Sequence, residues 1–568
     1  VARELFRLVP EVRLTTFLMI GIGIAAGLAE TVGITLLVAA LFSLANPDGT
    51  VTVLSSLQIL SGFDETASSR GLVVTILLVA LSSKIILTLV NGVWNARVSH
   101  AISESIRNQL YDQLLDISLQ DVSRHDRGEL ITILATESYE VAGAHTAIVR
   151  TGINVSTIVL FGGVLLATSW QIALIAIFAG VLHSLAMSLF ANSYHRLGRA
   201  TSIVLEQLTR ISWSSLQAFK AVRAFGVEEV NRQTFRELSR QAARSLAKSE
   251  IYNQITGAIS EAMVFAVLFA IVLAPALLDV PFASVVGATV LLFRMQPHIR
   301  EFNRNLLLLI KADVPLERIR SVITRDDKDY VTGGDYRIET VRFGIEFRGV
   351  GFHYRGAERP CLSNINFSIP VGSRTAIIGR SGSGKTTLVN LLLGLERPTS
   401  GKILVDGVDL STLRRADWVR LVSIAGQDVE LIEGTISENI RFHRSFDEKD
   451  IRAAANLAGA DRYINFLPDG YDEWAGDEAI RLSGGQRQRL SVARGLVGLP
   501  EILVLDEATS GLDEETEEEV LRAVIERFRD RTIVLITHRR STLRFMDNFI
   551  EINDPTRASS VNPEPATW

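Results

Sequence analysis

From Thr151 to His195 the sequence contains no Asp, Glu, Lys or Arg. A helix rises about 1.5 Å per residue and the hydrocarbon core of a bilayer is about 30 Å thick, so the stretch is roughly twice as long as one crossing requires. It must run as two spanning helices that turn near Ser169, Trp170 and Gln171. The rest of the first 300 residues has the same character. Between Arg13 and Asp48 only Glu30 is charged, and residues 71–96 are interrupted only by Lys84. Two more apolar runs, 251–278 and 281–300, are broken apart at Pro275, Asp279 and Pro281. Six spans result, and a mean hydropathy of +0.25 with 47% apolar residues agrees with a membrane protein. The first run is too long for a signal peptide and is expected to be retained.

Basic residues orient the spans. The 196–250 connection carries Arg196, Arg199, Arg210, Lys220, Arg223 and five more cations, whereas the 46–70 loop has only Arg70. Both long connections, 97–150 and 196–250, are therefore expected on the cytoplasmic side, with the N-terminus and everything after the sixth span. Helical apolar spacing (Ile106, Leu110, Leu114; Leu205, Leu208, Ile211) predicts helices that continue past the membrane to two contact segments, 120–130 and 212–224. Residues 51–60 are expected to form a small interfacial helix. Gly21, Gly23 and Gly27 imitate a dinucleotide fingerprint, but no strand precedes them, and close helix–helix packing through Gly23 and Gly27 is the better reading. Glu30, Lys84, Glu261 and Arg294 are charges inside apolar spans, each needing a partner or a watery cavity. Depth along the spans pairs Glu30 with Lys84 and Glu261 with Arg294, as braces or as cavity lining. His183 reads as a packing residue. The single cysteine, Cys361, excludes an internal disulfide or a CxxC metal site, and the net charge of −5 gives no reason to expect nucleic acid.

The last 230 or so residues change style, after a polar linker at 326–342. Short strands (Ile345–Phe347, Ile365–Ile369) give way to strands alternating with helical patterns through 375–535, an α/β domain. Ala376, Ile377 and Ile378 form a buried strand that breaks into Gly379-Arg380-Ser381-Gly382-Ser383-Gly384-Lys385-Thr386-Thr387, followed by an apolar helix. Strand, glycine loop and helix make a phosphate cradle: the loop amides and the helix N-terminus face an anion, Lys385 reaches the β- and γ-phosphates, and the Thr386 hydroxyl holds Mg²⁺. Ile502–Leu505 ends in Asp506 and Glu507, placed to hold Mg²⁺ through water and to polarise an attacking water. Leu482-Ser483-Gly484-Gly485-Gln486 precedes a second helical run, giving a second anion site without a lysine. His538 follows the strand Thr532–Ile536 and is a candidate γ-phosphate contact.

These motifs, in this order behind six spans, resemble the exporter-type half-transporters of the ATP-binding-cassette (ABC) family. The resemblance covers essentially the whole chain. Gly379–Thr386 matches Walker A, Tyr354 the adenine-stacking aromatic, Gln427 the Q-loop, Leu482–Gln486 the signature, Asp506–Glu507 Walker B, Ser510–Asp513 the D-loop and His538 the switch histidine. It implies a six-helix all-α transmembrane domain of the type I exporter fold (1–325), then an α/β P-loop nucleotide-binding domain (343–553). It also implies catalysis by Glu507, His538 and Gln427, with Mg²⁺ held by Thr386, Gln427 and Asp506. ATP would lie against Tyr354, Gly379–Thr387, Ser483–Gln486 and Asp513, sandwiched between two chains so that each site takes Walker A from one and the signature from the other. The intact Glu507 and signature favour a homodimer over a pairing with a different half-transporter. Three departures stand out. Gly476-Asp477-Glu478-Ala479 replaces the usual Gly-Glu-x-Gly, Gly426 stands where a proline precedes the Q-loop glutamine, and the terminal glycine-bearing strand is missing, so 554–568 is expected to be a disordered tail.

The implied function is ATP-driven export or flipping of a lipid, lipid-linked sugar, peptide or drug-like amphiphile, in a bacterial inner membrane with the nucleotide domain cytoplasmic. Ala479, the 51–60 segment and the Glu30 region loosely resemble flippases for lipid-linked oligosaccharides. With no peptidase domain ahead of the first span, leader-cleaving export is disfavoured. An ATP-gated channel or regulatory receptor on the same fold is the alternative, and a soluble ABC motor of the DNA-repair kind conflicts with six apolar spans.

Overall fold

The computed structural model describes residues 1–45, 67–278, 282–324, 328–331, 333–426, 430–475, 482–554 and 557–561. Within these ranges only the backbone is described at 38–45, 67–73, 184, 186–195, 199, 274–278, 282–283, 540, 553–554 and 557–561. The chain folds as two compact units, one of Val1–Leu115 with His125–Asp326, the other of Asp116–Arg124 with Asp327–Trp568.

The first unit is helical. Its six long helices are α1 (Val12–Ala45), α2 (Ala67–Asp116), α3 (Ser138–Thr168), α4 (Trp170–Gln217), α5 (Glu228–Leu278) and α6 (Phe282–Lys311), followed by α7 (Asp313–Ile323). The charge-free stretch does divide at Ser169, which takes extended backbone and caps α4 by accepting from the Ile172 amide at 3.4 Å. Val12–Leu37, Val74–Asp116, Arg127–Thr168 and Glu228–Leu273 are each long and apolar enough to cross a membrane. In α4 the apolar stretch Trp170–His183 is shorter, and α6 carries Arg294, Arg300 and Arg304. Helix α3 packs on α1 and α6, and α4 pairs with α5. Phe161, Leu165, Ile172, Ile271 and Ala288 form a fully enclosed core among them.

The glycines of α1 serve close packing, as expected. A Cβ on Gly23 would collide with the Ile153 side chain of α3, and one on Gly27 would stand 2.9 Å from Thr157 Oγ1. The expected pairing of Glu30 with Lys84 is met: Glu30 is buried and faces Lys84 Nζ at 3.5 Å, and it also bonds Arg294 Nε at 2.5 Å. The expected pairing of Glu261 with Arg294 is corrected, since Glu261 meets Arg300 at 3.7 Å. Depth along neighbouring spans misplaced Arg294 because helix rotation, which a position along the chain does not reveal, decides which side chains face each other. His183 Nε2 bonds Asn303 at 3.0 Å and sits 3.4 Å from Ser260 Oγ, an interhelix contact that leaves its buried Nδ1 without a partner. Most of the 46–70 loop, and the 51–60 segment with it, lies outside the described residues.

In the second unit a six-stranded sheet runs β10-β9-β3-β8-β7-β6, where β3 is Arg374–Gly379, β6 Val422–Ala425, β7 Ile502–Asp506, β8 Thr532–Ile536, β9 Asn548–Asp554 and β10 Arg557–Val561. Strands β9, β3, β8, β7 and β6 are parallel to their neighbours in that series, and the central β7 and β8 are covered on both faces, which is why they read as near-continuous apolar runs. One face carries α11 (Gly484–Leu496) and α12 (Glu514–Arg527) through Leu490, Leu496, Leu521 and Phe528. The other carries α8 (Lys385–Leu392) through Leu388 and Leu391, together with an antiparallel sheet ordered β2-β1-β4-β5. In that sheet β1 (Gly344–Phe352) and β2 (Leu362–Pro370) extend well beyond the short strands expected, while β4 is Ser400–Val405 and β5 Val408–Asp409. Two further helices, α9 (Ile436–Arg441) and α10 (Glu448–Leu457), pack beside α11.

The expectation of a structureless tail is corrected over 557–561, where β10 pairs antiparallel with β9, Ser559 opposite Glu551. Ladder formation uses backbone groups that any residue except proline supplies, so a Ser-rich composition hid a strand that an open sheet edge recruits. Residues 562–568 lie outside the described range.

Candidate nucleotide site

Parallel strands of this kind leave their C-terminal ends as a crevice, and the sequence places its chemistry there. At the end of β3 the chain turns through Gly382 (φ +80°) and Gly384 (φ +93°), backbone that only glycine adopts without strain. Gly379 is needed for a different reason, since a Cβ there would strike the Ile552 carbonyl and lie 2.8 Å from Ser383 Oγ. Gly384 is the N-cap of α8 and offers no side chain, so no side-chain cap holds the first amides of this helix. Lys385 is buried, and its ammonium bonds the Gly379 and Arg380 carbonyls at 2.9 Å each. Burial pushes its pKa down, and the carboxylates of Glu507 and Asp506 oppose that shift. Ser383 Oγ is buried without a hydrogen-bond partner. Ser381, Gly382 and Thr386 are exposed on the same loop. An orphan hydroxyl, uncapped amides and a cation held by exchangeable carbonyls are what a phosphate chain would satisfy.

Strand β7 delivers Asp506 and Glu507, both half-buried. Glu507 adopts a left-handed backbone (φ +49°), held by its amide donating to the Ile536 carbonyl at 3.1 Å. Its Oε1 lies 2.9 Å from His538 Nε2, so the structure brings these two predicted residues into direct contact. The hydroxyl and carboxylate of Thr386 and Asp506 are hard oxygen donors that suit Mg²⁺, and no cluster of three His, Cys, Asp or Glu competes as a metal site among the described residues. Gln427 lies outside the described residues. Tyr354, on the edge of its unit, shares a hydrogen bond with Thr387 Oγ1 at 2.8 Å, and Cys361 Sγ lies 3.3 Å from the same oxygen. Burial raises the Tyr354 phenol, partly offset by that bond.

The signature begins a different kind of helix. Ser483 is exposed and caps α11 through a reciprocal box: the Gln486 amide donates to Ser483 Oγ at 3.3 Å, and the Ser483 amide donates to Gln486 Oε1 at 2.8 Å. Gly484 is exposed beside it and Gly485 half-buried. Asp513 caps α12 by accepting from Thr516, which holds its carboxyl below the usual range.

Sequence motifs did not reveal the partners of the first expected contact segment. Asp116–Arg124, which overlaps 120–130, belongs to the nucleotide unit. There Asp121, buried, accepts from the Asp329 amide at 2.8 Å and faces Arg355 at 3.4 Å, while the Gln120 amide donates to buried Glu396 at 2.7 Å. Arg355 directly follows Tyr354 and also bonds Asp329 at 2.7 Å. These residues carry no motif of their own.

Fold and site together define a membrane protein powered by a phosphate-loop ATPase. Residues 17–295 match the ABC transporter transmembrane region and residues 362–510 the ABC transporter nucleotide domain, so the chain belongs to the ABC transporter family. It is 29% identical over 468 residues to the ATP-dependent lipid A-core flippase of Escherichia coli (strain K12), covering 80% of this chain and 79% of that protein. It is 28% identical over 461 residues to the heterocyst differentiation ATP-binding protein HepA of Nostoc sp., covering 81% and 76%. In fold it matches the structure of a bacterial Atm1-family ABC exporter with ATP bound, with a TM-score of 0.79 at 22% identity over 98% of this chain and 95% of that one. The fold is that of a type I ABC exporter, and the activity is ATP-driven export or flipping across a membrane.

Proposed function

We propose that two copies of this chain move an amphiphile with an anionic head across a bacterial inner membrane, with the nucleotide units on the cytoplasmic side. One observation carries the choice of cargo. In the apolar spans, Lys84, Arg294 and Arg300 share two carboxylates, Glu30 and Glu261, among the described residues. Arg294, Arg300 and Arg304 lie along one open face of α6 with Phe293, Pro297 and Glu301. A surplus of cations among apolar spans is costly unless an anion completes it, and a phosphorylated lipid head would do so. A cavity of about 630 Å³ among α3, α4, α5 and α6 is apolar apart from His183, Ser260 and Asn303, and suits hydrocarbon. The relatives named for flipping lipid A-core support a lipid cargo. Proteoliposomes tested with phosphorylated lipids, zwitterionic lipids and peptides decide it: anionic lipids should stimulate ATPase and be moved, and Arg294→Ala should weaken both. Equal stimulation by all three would sink this choice.

At the fuel site, phosphates replace the carbonyls on Lys385 and occupy the Gly382–Thr386 amides, with the adenine against Tyr354. Thr386, Asp506 and Gln427 would hold Mg²⁺, which neutralises developing charge on the phosphates. Glu507 accepts the proton of the attacking water while His538 fixes its carboxylate. Helix α8 packs on β3 and β7 from one face of the sheet, whereas α11 packs on β6 and β7 from the other, beside α9 and α10. The two anion-binding helix ends therefore lie on opposite faces of one sheet, and a partner's Ser483–Gln486 would complete each site. Asp121 and Gln120, bound beside Tyr354, would pass closure towards the spanning helices.

A further inference from the structure

Glu30 is a buried carboxylate among apolar spans, 5% exposed, and it holds more positive charge than it needs. Its two oxygens are used separately. Oε1 accepts from Arg294 Nε of α6 at 2.5 Å, and Oε2 faces Lys84 Nζ of α2 at 3.5 Å. One carboxylate balances one cation, so the trio carries a net positive charge. The two cations are not equivalent. The Lys84 side chain is 27% exposed, and packing brings its helix to α1: one turn along each helix, a Cβ on Gly33 would stand 3.2 Å from Leu81. The Arg294 side chain is 46% exposed, on the open face of α6 with Phe293 and Pro297. Its bond to Glu30 uses Nε, which leaves both Nη groups without a hydrogen bond among the described residues. His298, one turn further along α6, is already engaged with Asn154 Oδ1 at 2.9 Å.

We propose that Glu30 is a built-in competitor of the cargo: it occupies Arg294 while the site is empty and yields it to a phosphorylated lipid head, and Lys84 keeps the carboxylate paired after the exchange. The proposal rests on the reading that the cargo has an anionic head. A guanidinium that left Glu30 with no other partner would strand a buried carboxylate, a large cost in an apolar setting. Because Lys84 faces an oxygen of its own, Arg294 turns to an incoming phosphate without that cost, and its planar fork suits two phosphate oxygens. Competition sets a threshold. A zwitterionic head, whose phosphate brings its own cation, gains too little from Arg294 to displace Glu30. A phosphomonoester with about two negative charges gains enough. Glu30 is thus a specificity-determining residue that never touches the cargo, and Lys84 is its positioning residue.

The full-length chain in phosphatidylcholine nanodiscs, titrated with phosphatidic acid, tests this through the lipid fraction that half-maximally stimulates ATP hydrolysis. Lys84→Met leaves Glu30 dependent on Arg294, so the half-maximal fraction should rise at least threefold. Lys84→Gln is read in its place should the methionine variant fail to fold. Glu30→Gln combined with Lys84→Met removes the competitor together with the cation that serves it and keeps the parent's net charge at the trio. That double variant should lower the half-maximal fraction at least threefold below the parent. A reversal of sign between the two variants is what competition alone produces: a lysine that bound cargo would leave the double variant weaker than the parent, and a simple brace would move the melting midpoint without the reversal. A shift smaller than threefold, or of the opposite sign, in either variant overturns the proposal. Arg294→Ala run alongside separates the two readings. The cargo reading has failed where phosphatidic acid stimulates Arg294→Ala as strongly as the parent, or the parent no more than phosphatidylcholine alone does. Stimulation lost in Arg294→Ala beside unshifted Glu30 and Lys84 variants means only the competition has failed.

Discussion

Helix α8 begins at Gly384 with no side chain on its first amides, whereas α11 begins at Ser483 with the Gln486 amide already engaged by a reciprocal cap. Both ends can face a phosphate, but they are prepared differently. The first leaves its donors and the buried Ser383 hydroxyl unsatisfied, a cost that a bound anion relieves. The second is held in shape by its own cap before any ligand arrives and needs only to be brought up to one. The open end should therefore control affinity, and the capped end should control what happens once two chains close.

The largest effects should come from breaking the open end and its neighbour. Glu507→Gln is expected to keep ATP binding while turnover falls about 100-fold or more, the usual worth of a general base, measured by equilibrium binding beside phosphate release. Lys385→Ala should instead cost binding, about 10- to 100-fold, because a charge-assisted bond to phosphate is lost. Ser483→Ala sharpens the contrast: losing the cap costs the helix about 1 kcal/mol, so hydrolysis should drop several-fold with ATP affinity unchanged. Loss of affinity there would show that the two ends are not divided in this way. Cys361, close to Thr387, gives a milder readout, since maleimide labelling should slow several-fold when MgATP is present. The smallest effect lies away from both ends. Asp406 is partly buried, which alone would raise its pKa, but three backbone donors at Arg342, Phe343 and Gly344 outweigh that and hold it low. A depressed carboxyl stabilises the fold above its unfolded pKa and loses that contribution as pH falls through the folded value. Asp406→Asn, suited to the φ of +50° there, should therefore lower the melting midpoint by about 2 °C at pH 7 and by less below pH 4.

What could be read from the chain alone follows the same division between local and distant. Gly379–Thr387 and Asp506–Glu507 are legible because strand, loop and ligand group are contiguous, so the spacing itself encodes the geometry. The break at Ser169 was legible because a bilayer sets a length. Contacts made across the fold were not. Arg294 and Glu30 are 264 positions apart, and their meeting depends on how two helices rotate. The strand Arg557–Val561 was hidden because its pairing uses backbone groups, which leave little trace in composition.

The central claim is that an open phosphate loop on one chain needs the capped helix of another. Nanodiscs loaded with one chain or with two, matched for total protein, test it most directly. One-chain discs should bind ATP with an affinity close to that of two-chain discs and hydrolyse it at a few per cent of their rate or less. Equal turnover per chain in both would contradict the account.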